Sequence, residues 1–269
     1  MDVDPRDLPE TDVFQFSQPC THFAPCGNGE GAQSQDTDMI TQCAKYLAAK
    51  LPKVWIYENS STFLTHKKHK VYLHSLLRTF RSIGRGHYKV LTMKLNARTE
   101  GSVPMNRMRA FIVGLSEDAM VSEFEVPGPI PRKKLATFLE MDSIGQTLPT
   151  DAVKLRNLMW GLQQIVERHV MISEWWFIDA LASPSRPHVK LNCVPCLTAT
   201  RASAGGHWCT RPNRMLTCQE MANPVGLGDT FKVTEDFHER ALGHAIGNSI
   251  CVGVLQRVLQ SALHAVKLH

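Results

Sequence analysis

A doubly wound α/β sheet is the fold class this sequence predicts, from three patterns. Short apolar stretches of strand character alternate with helix-period segments over residues 12–113, most strands close on a polar or turn-forming group, and two chemically suited residues fall at such closures. Asp12 to Ser17 alternates and is rich in aromatic residues, so it reads as a strand, and the Pro/Gly/Asn-rich stretch from Pro19 to Gly31 as the loop after it. From Asp36 the period becomes helical. Asp36, Thr37 and Asp38 offer caps, Ile40, Cys43, Ala44, Leu47 and Leu51 recur at helix spacing, and Pro52 ends the segment. Lys53 to Tyr57 is a second strand, with Glu58 at its carboxyl end.

A second helix carries Tyr72, Leu73, Leu76, Leu77 and Phe80 on one stripe, and Gly84 stops it. His87 to Leu95 and Ala110 to Val113 supply two more strands. Doubly wound sheets bind ligands beyond the carboxyl ends of their strands, and Cys20 and Glu58 both fall there. Pro127 to Lys134 reads as a linker, and Ala152 to Val170 as an amphipathic helix through Val153, Leu158, Leu162, Ile165 and Val166. Asn248 to Val266 reads as a closing helix. The expected division is a sheet domain over 1–124, a smaller lobe over 125–235, and a segment over 236–269 that packs back on the sheet.

A length of 269 residues at 43% hydrophobic content suffices for one good core and a second lobe. With a net charge of only +5, nucleic-acid binding would rest on a local basic surface. No apolar run approaches the roughly 20 residues of a membrane span, and the start is acidic where a signal peptide is basic, so an intracellular, soluble protein is expected, nuclear if the source is eukaryotic. Eight irregularly spaced cysteines suit reduced thiols better than a disulfide framework.

Five short motifs occur in order: Pro19-Cys20, Tyr57-Glu58-Asn59, Pro104 to Arg109, Arg214 to Glu220, and Gly247-Asn248-Ser249. Alone, each has an ordinary reading. A cysteine is most often a small buried hydrophobe, Glu-Asn after a strand a turn or cap, and Arg-x-Arg a solvated edge. Together and in order they resemble the cytosine-5 methyltransferase family. The resemblance implies a Rossmann-like sheet lacking its first strand-helix units, with the smaller lobe serving target recognition. It makes Cys20 the thiolate nucleophile, Glu58 the acid that grips the cytosine, and Arg107 and Arg109 the holders of base oxygen and phosphate. It places Asp2, Pro19, Asn248 and Ser249 beside S-adenosylmethionine, with no metal.

The chemistry suits those residue types. Carbon-5 of cytosine is a poor nucleophile until a thiolate adds at carbon-6, which needs an exposed cysteine of lowered pKa. An acid must share a proton at the ring nitrogen, a task that a raised pKa through burial would favour for Glu58. The base must leave the stack to reach them. The implied function is methylation of carbon-5 of cytosine in DNA through a covalent cysteine adduct, with DNA as partner. Transfer to tRNA is the enzymatic alternative, disfavoured because the Cys-Phe-Thr run of that branch is missing here. A catalytically inactive nucleic-acid-binding or regulatory homologue is the other.

The sequence departs from the family pattern in three places. No Phe-x-Gly-x-Gly cofactor loop precedes Cys20, so a truncated or split enzyme is expected, with a second polypeptide supplying that segment and weak cofactor affinity without it. Thr21 and Met105 both stand where the family usually has glutamine. Elsewhere, Cys193-Val-Pro-Cys196 with Cys209, Cys218 or His207 has only a weak zinc pattern. His66 to Lys70 reads as a solvated helix start or a phosphate contact, Trp175 to Phe177 as core of the second lobe, and Arg214 and Glu220 as architecture.

Overall fold

The computed structural model of the chain describes residues 4–18, 37–141, 147–168, 174–182, 189–228, 231 and 238–268. Asp2, Pro19, Cys20 and Thr21 lie outside the described residues. The chain divides into two compact units, one of residues 1–95, 108–128 and 256–269, the other of 96–107 and 129–255.

In the first unit the order is β1 (Val13–Ser17), α1 (Thr37–Lys50), β2 (Val54–Ser60), α2 (Thr62–Thr65), α3 (Lys70–Ser82), β3 (Tyr88–Asn96) and β4 (Met108–Ser116). The strands form one sheet in the order β1-β2-β4-β3, with β1 and β2 parallel and β2 and β4 antiparallel. Every residue of β2 is buried, so both of its faces are covered, as expected for the interior strand of an α/β sheet. One face holds an aromatic core in which Phe16, Trp55, Tyr57, Phe80 and Tyr88 pack with Leu47, Leu73 and Leu76 from the two long helices. Trp55 explains Gly114, its partner across β2 and β4: a Cβ at Gly114 would lie 2.0 Å from the indole.

β2 runs three residues beyond the expected Tyr57, because β4 keeps pairing with it to Ser60, so Glu58 lies within the strand. α3 ends as expected near Gly84, whose φ of 59° lies in the left-handed region. Among the described residues no helix is long and apolar enough to cross a membrane.

The second unit contains α4 (Ala152–Glu167), β5 (Trp176–Asp179), β6 (Val189–Leu191), α5 (Ala199–Ser203), β7 (His207–Cys209), β8 (Arg214–Met215), α6 (Cys218–Ala222) and α7 (Glu239–Asn248). Its sheet runs β6-β5-β7-β8, all neighbours antiparallel. Asp151 caps α4 by accepting from the amides of Val153 and Lys154. Leu158 and Ile165 of α4 are buried with Trp176, Ile178 and Trp208, whereas Val153 and Val166, expected on the buried stripe, are 53% and 58% exposed. The buried face runs instead through Asn157, Leu158, Gly161 and Ile165, because Gly161 lets the helix sit directly on Ile178. Trp176 and Phe177 are core, as read from the sequence.

The expected closing helix is present as Val252–Ala265, and a separate helix precedes it. α7 ends at Asn248, and α8 (Val252–Ala265) starts after a break at Ser249 to Cys251. Gly247-Asn248 therefore ends a helix where the sequence reading had it begin one. α7 lies against α5 through two glycines: a Cβ at Gly243 would meet the Ala202 carbonyl at 2.5 Å and one at Gly247 the Ala199 backbone at 2.3 Å.

Candidate active site

Strand register positions Glu58. Ser17 at the end of β1 is its parallel partner, and Ser60, two residues on along the same face, is the partner of Arg109. Arg109 is thus the diagonal neighbour of Glu58, and its Nε lies 3.1 Å from Glu58 Oε1, the side chains 15% and 9% exposed. On the other face of β2, Asn59 Nδ2 donates to the Tyr57 hydroxyl at 2.8 Å, and its Oδ1 accepts from the Ser60 amide at 2.7 Å. Burial pushes the Tyr57 hydroxyl well above its usual pKa of 10, so it stays neutral. The Tyr57-Glu58-Asn59 motif is therefore a carboxylate on one face braced by a buried hydrogen-bonded pair on the other. The expected Glu58 and Arg109 come together, and only the β2–β4 register reveals it.

Gln18, the residue after β1, was not singled out from the sequence. It is 5% exposed, and its Oε1 has no hydrogen-bond partner among the described residues, an acceptor beside the segment that carries Pro19 and Cys20. Nothing in the sequence marks it, since a glutamine before a loop is commonplace.

Arg107, in the second unit, is 1% exposed. Its Nη2 donates to the carbonyls of Gly247 at 2.9 Å and Ser249 at 2.5 Å, and its Nη1 to that of Leu197. It fixes the turn that carries Asn248 and Ser249. Asn248 is exposed with its Nδ2 3.4 Å from His244 Nδ1, and the Ser249 hydroxyl donates to the Ile246 carbonyl at 2.7 Å. Met105 is fully buried and bridges to Val194 within this unit.

Arg214 and Glu220 form a bidentate pair at 2.7 and 2.8 Å, with Glu220 fully buried. Glu220 also completes a capping box with Thr217 at the start of α6 and accepts from the Glu140 amide at 2.9 Å. The reading of both as architecture holds. Arg211 lies over the ring of Trp175, 5.0 Å from its centroid. Among the described residues no group of three or more His, Cys, Asp and Glu side chains is arranged to hold a metal ion.

His207 is fully buried on β7 opposite Asp179, which is paired with Arg201 at 2.8 Å, and among the described residues neither ring nitrogen has a hydrogen-bond partner. Burial holds its pKa down at about 4, against the opposing pull of Asp179. The unfolded chain takes up this proton near pH 6.5 and the folded one only near 4, so stability is complete above 6.5 and is lost as pH falls toward 4. The full window is worth about 3 kcal/mol. Urea unfolding from pH 7 to 4 should show wild type losing about that much more than His207→Leu; parallel curves would contradict the burial of a neutral imidazole.

The mixed α/β sheet of the first unit is consistent with a Rossmann-like methyltransferase fold. The family model for C-5 cytosine-specific DNA methylase matches residues 1–264. The chain is similar to the type II methyltransferase M.Bsp6I of Bacillus sp. (strain RFL6), with 25% identity over 95% of this chain and 80% of that protein. In fold it is similar to the Dnmt2 methyltransferase of S. pombe, with a TM-score of 0.60, 16% identity, and coverage of 98% of this chain and 83% of that one. It is also similar to the methyltransferase EhMeth of Entamoeba histolytica, with a TM-score of 0.58, 13% identity, and coverage of 93% and 76%. This chain belongs to the C-5 cytosine-specific DNA methylase family.

Proposed function

We propose that the chain methylates carbon-5 of cytosine in DNA through a covalent adduct on Cys20. The observation that carries this reading is the Glu58–Arg109 pair on β2 and β4, set where β1 delivers the chain to Cys20. Ser17 is the partner of Glu58, and three residues to Cys20 span at most about 11 Å. In this reading the Cys20 sulfur bonds carbon-6 of the flipped cytosine, and the ring electrons move to carbon-5 while Glu58 shares a proton at the ring nitrogen. After carbon-5 is methylated it loses its proton, the sulfur–carbon bond breaks, and the thiolate returns. Arg109 holds the Glu58 carboxylate and faces the base oxygen.

S-adenosylmethionine, when bound, supplies the methyl group. In the first unit, the buried Gln18 acceptor, without a hydrogen-bond partner among the described residues, fits a ligand that carries N–H or O–H donors. We assign Asp2, Pro19, Asn248 and Ser249 as its neighbours. Arg107 acts from beneath, holding the Gly247 and Ser249 carbonyls so that the turn keeps its shape. The lobe over 125–235 is proposed to recognise the target sequence.

The test is covalent trapping on duplex DNA carrying 5-fluorocytosine, with S-adenosylmethionine, with and without the cofactor-loop segment of a relative added in trans. Trapping on tRNA alone would select the tRNA alternative. Binding without any adduct would select a non-catalytic role.

A further inference from the structure

The net charge of +5 hides a strong asymmetry. Residues 59–99 contain nine Lys and Arg and no Asp or Glu, while the other 228 residues hold 21 basic and 25 acidic side chains, a balance of −4. The whole positive excess of the chain therefore lies in one stretch of 41 residues, most of it in α2, α3 and the turns that flank them.

The fold turns this excess outward. Leu73, Leu76 and Phe80 take the core face of α3, which leaves Lys70, His74, Arg78 and Arg81 exposed at i, i+4, i+8 and i+11, on a single stripe. At 1.5 Å per residue the stripe is about 16 Å long, and it is extended at its start by the exposed Lys67 and Lys68 and beyond its end by the exposed Arg85. His74, Arg78 and Arg81 line an open concavity with Leu77 and Ser82. Among the described residues Lys67, Lys70, Arg78, Arg81 and Arg85 form no ion pair, whereas Lys89 on β3 pairs with Glu123. Like charges at helix spacing repel, so the row lowers the stability of α3 unless something outside it neutralises the charge.

We infer that the exposed stripe Lys70–His74–Arg78–Arg81 of α3, with Lys67 and Arg85, is a docking surface for the phosphate backbone of duplex DNA. A row of about 16 Å runs alongside roughly five steps of one strand, and its flexible cations meet phosphates without reading bases, so it contributes affinity independent of sequence. The choice of DNA over another polyanion rests on the function proposed above. The surface itself rests on charge and exposure, which do not involve Cys20 or Glu58.

The test compares wild type with the triple variant Lys70→Gln, Arg78→Gln, Arg81→Gln. All three positions are exposed, so the variant should stay folded, with thermal unfolding unchanged or slightly raised as the repulsion along α3 is relieved, and Arg78→Lys with Arg81→Lys serves as the charge-conserving control. Binding to duplexes of several unrelated sequences is measured against salt. The plot of log affinity against log salt should become shallower by about 2 to 3 in the triple variant, with affinity down about 10- to 100-fold for every sequence, and the control should keep the wild-type slope. An unchanged slope overturns the surface, as does a wild type that does not bind duplex, or a loss seen with tRNA but not with duplex. Trapping on 5-fluorocytosine duplex separates this from the catalytic reading. An adduct with an unchanged slope removes the surface and leaves the chemistry; no adduct with a shallower slope removes the chemistry and leaves the surface.

Discussion

Glu58→Gln should lower methyl transfer by about 10²- to 10⁴-fold, the range that general acid–base groups contribute. Glutamine keeps the shape and an oxygen toward Arg109 Nε, so the 3.1 Å contact loses its charge but not its geometry. What disappears is a group that can pass a proton to the ring nitrogen. Folding should survive with a modest loss of stability, since Arg109 is left without its counter-charge while β2 stays held on both edges. Binding of duplex DNA should stay within a few-fold of wild type if its affinity comes from the phosphate contacts inferred above for α3. A variant that keeps wild-type turnover would remove Glu58 from the chemistry. One that unfolds would show instead that the pair with Arg109 is structural.

Arg214→Ala should destabilise the second unit by about 3 to 5 kcal/mol, the cost of leaving a buried charge without its partner. Glu220 is fully buried, and besides Arg214 it holds the Thr217 and Glu140 amides, so it cannot turn to solvent when the guanidinium goes. Replacing both by apolar residues should not restore stability, since the capping box of α6 goes with Glu220. Urea unfolding followed by tryptophan fluorescence reads this directly, because Trp176 and Trp208 sit in the core of that unit. A loss below about 1 kcal/mol would mean that the pair is no more than a surface bridge.

Much of the first unit was legible in the sequence. The alternation of Val13 to Ser17 follows the period-2 rule, the apolar run at Trp55 to Tyr57 is that of a strand buried on both faces, and the stripe of α3 follows the helical period. The misses were tertiary. Glu58 seemed to end a strand because polar residues usually do, but pairing with β4 carries the strand through Ser60. Asn248 reads from the sequence as the start of the closing helix, whereas it ends α7: Ser249 turns extended, and Arg107 takes the Gly247 and Ser249 carbonyls. Val153 and Val166 fit a helical period, but periodicity does not say which of two apolar flanks a glycine will let approach the sheet. At the site, residue types were readable from motif order. Their partners, Arg109 for Glu58 and three carbonyls for Arg107, were not, because register and buried turns join residues far apart in sequence.

The claim at the centre of this account is that Cys20 bonds the target cytosine beside Glu58. The most direct measurement is denaturing electrophoresis of the chain after incubation with S-adenosylmethionine, the added cofactor-loop segment and duplex DNA containing 5-fluorocytosine. The account predicts a denaturation-resistant protein–DNA band for wild type that is lost in Cys20→Ala. A band that persists in Cys20→Ala, or no band under any of these conditions, would contradict it.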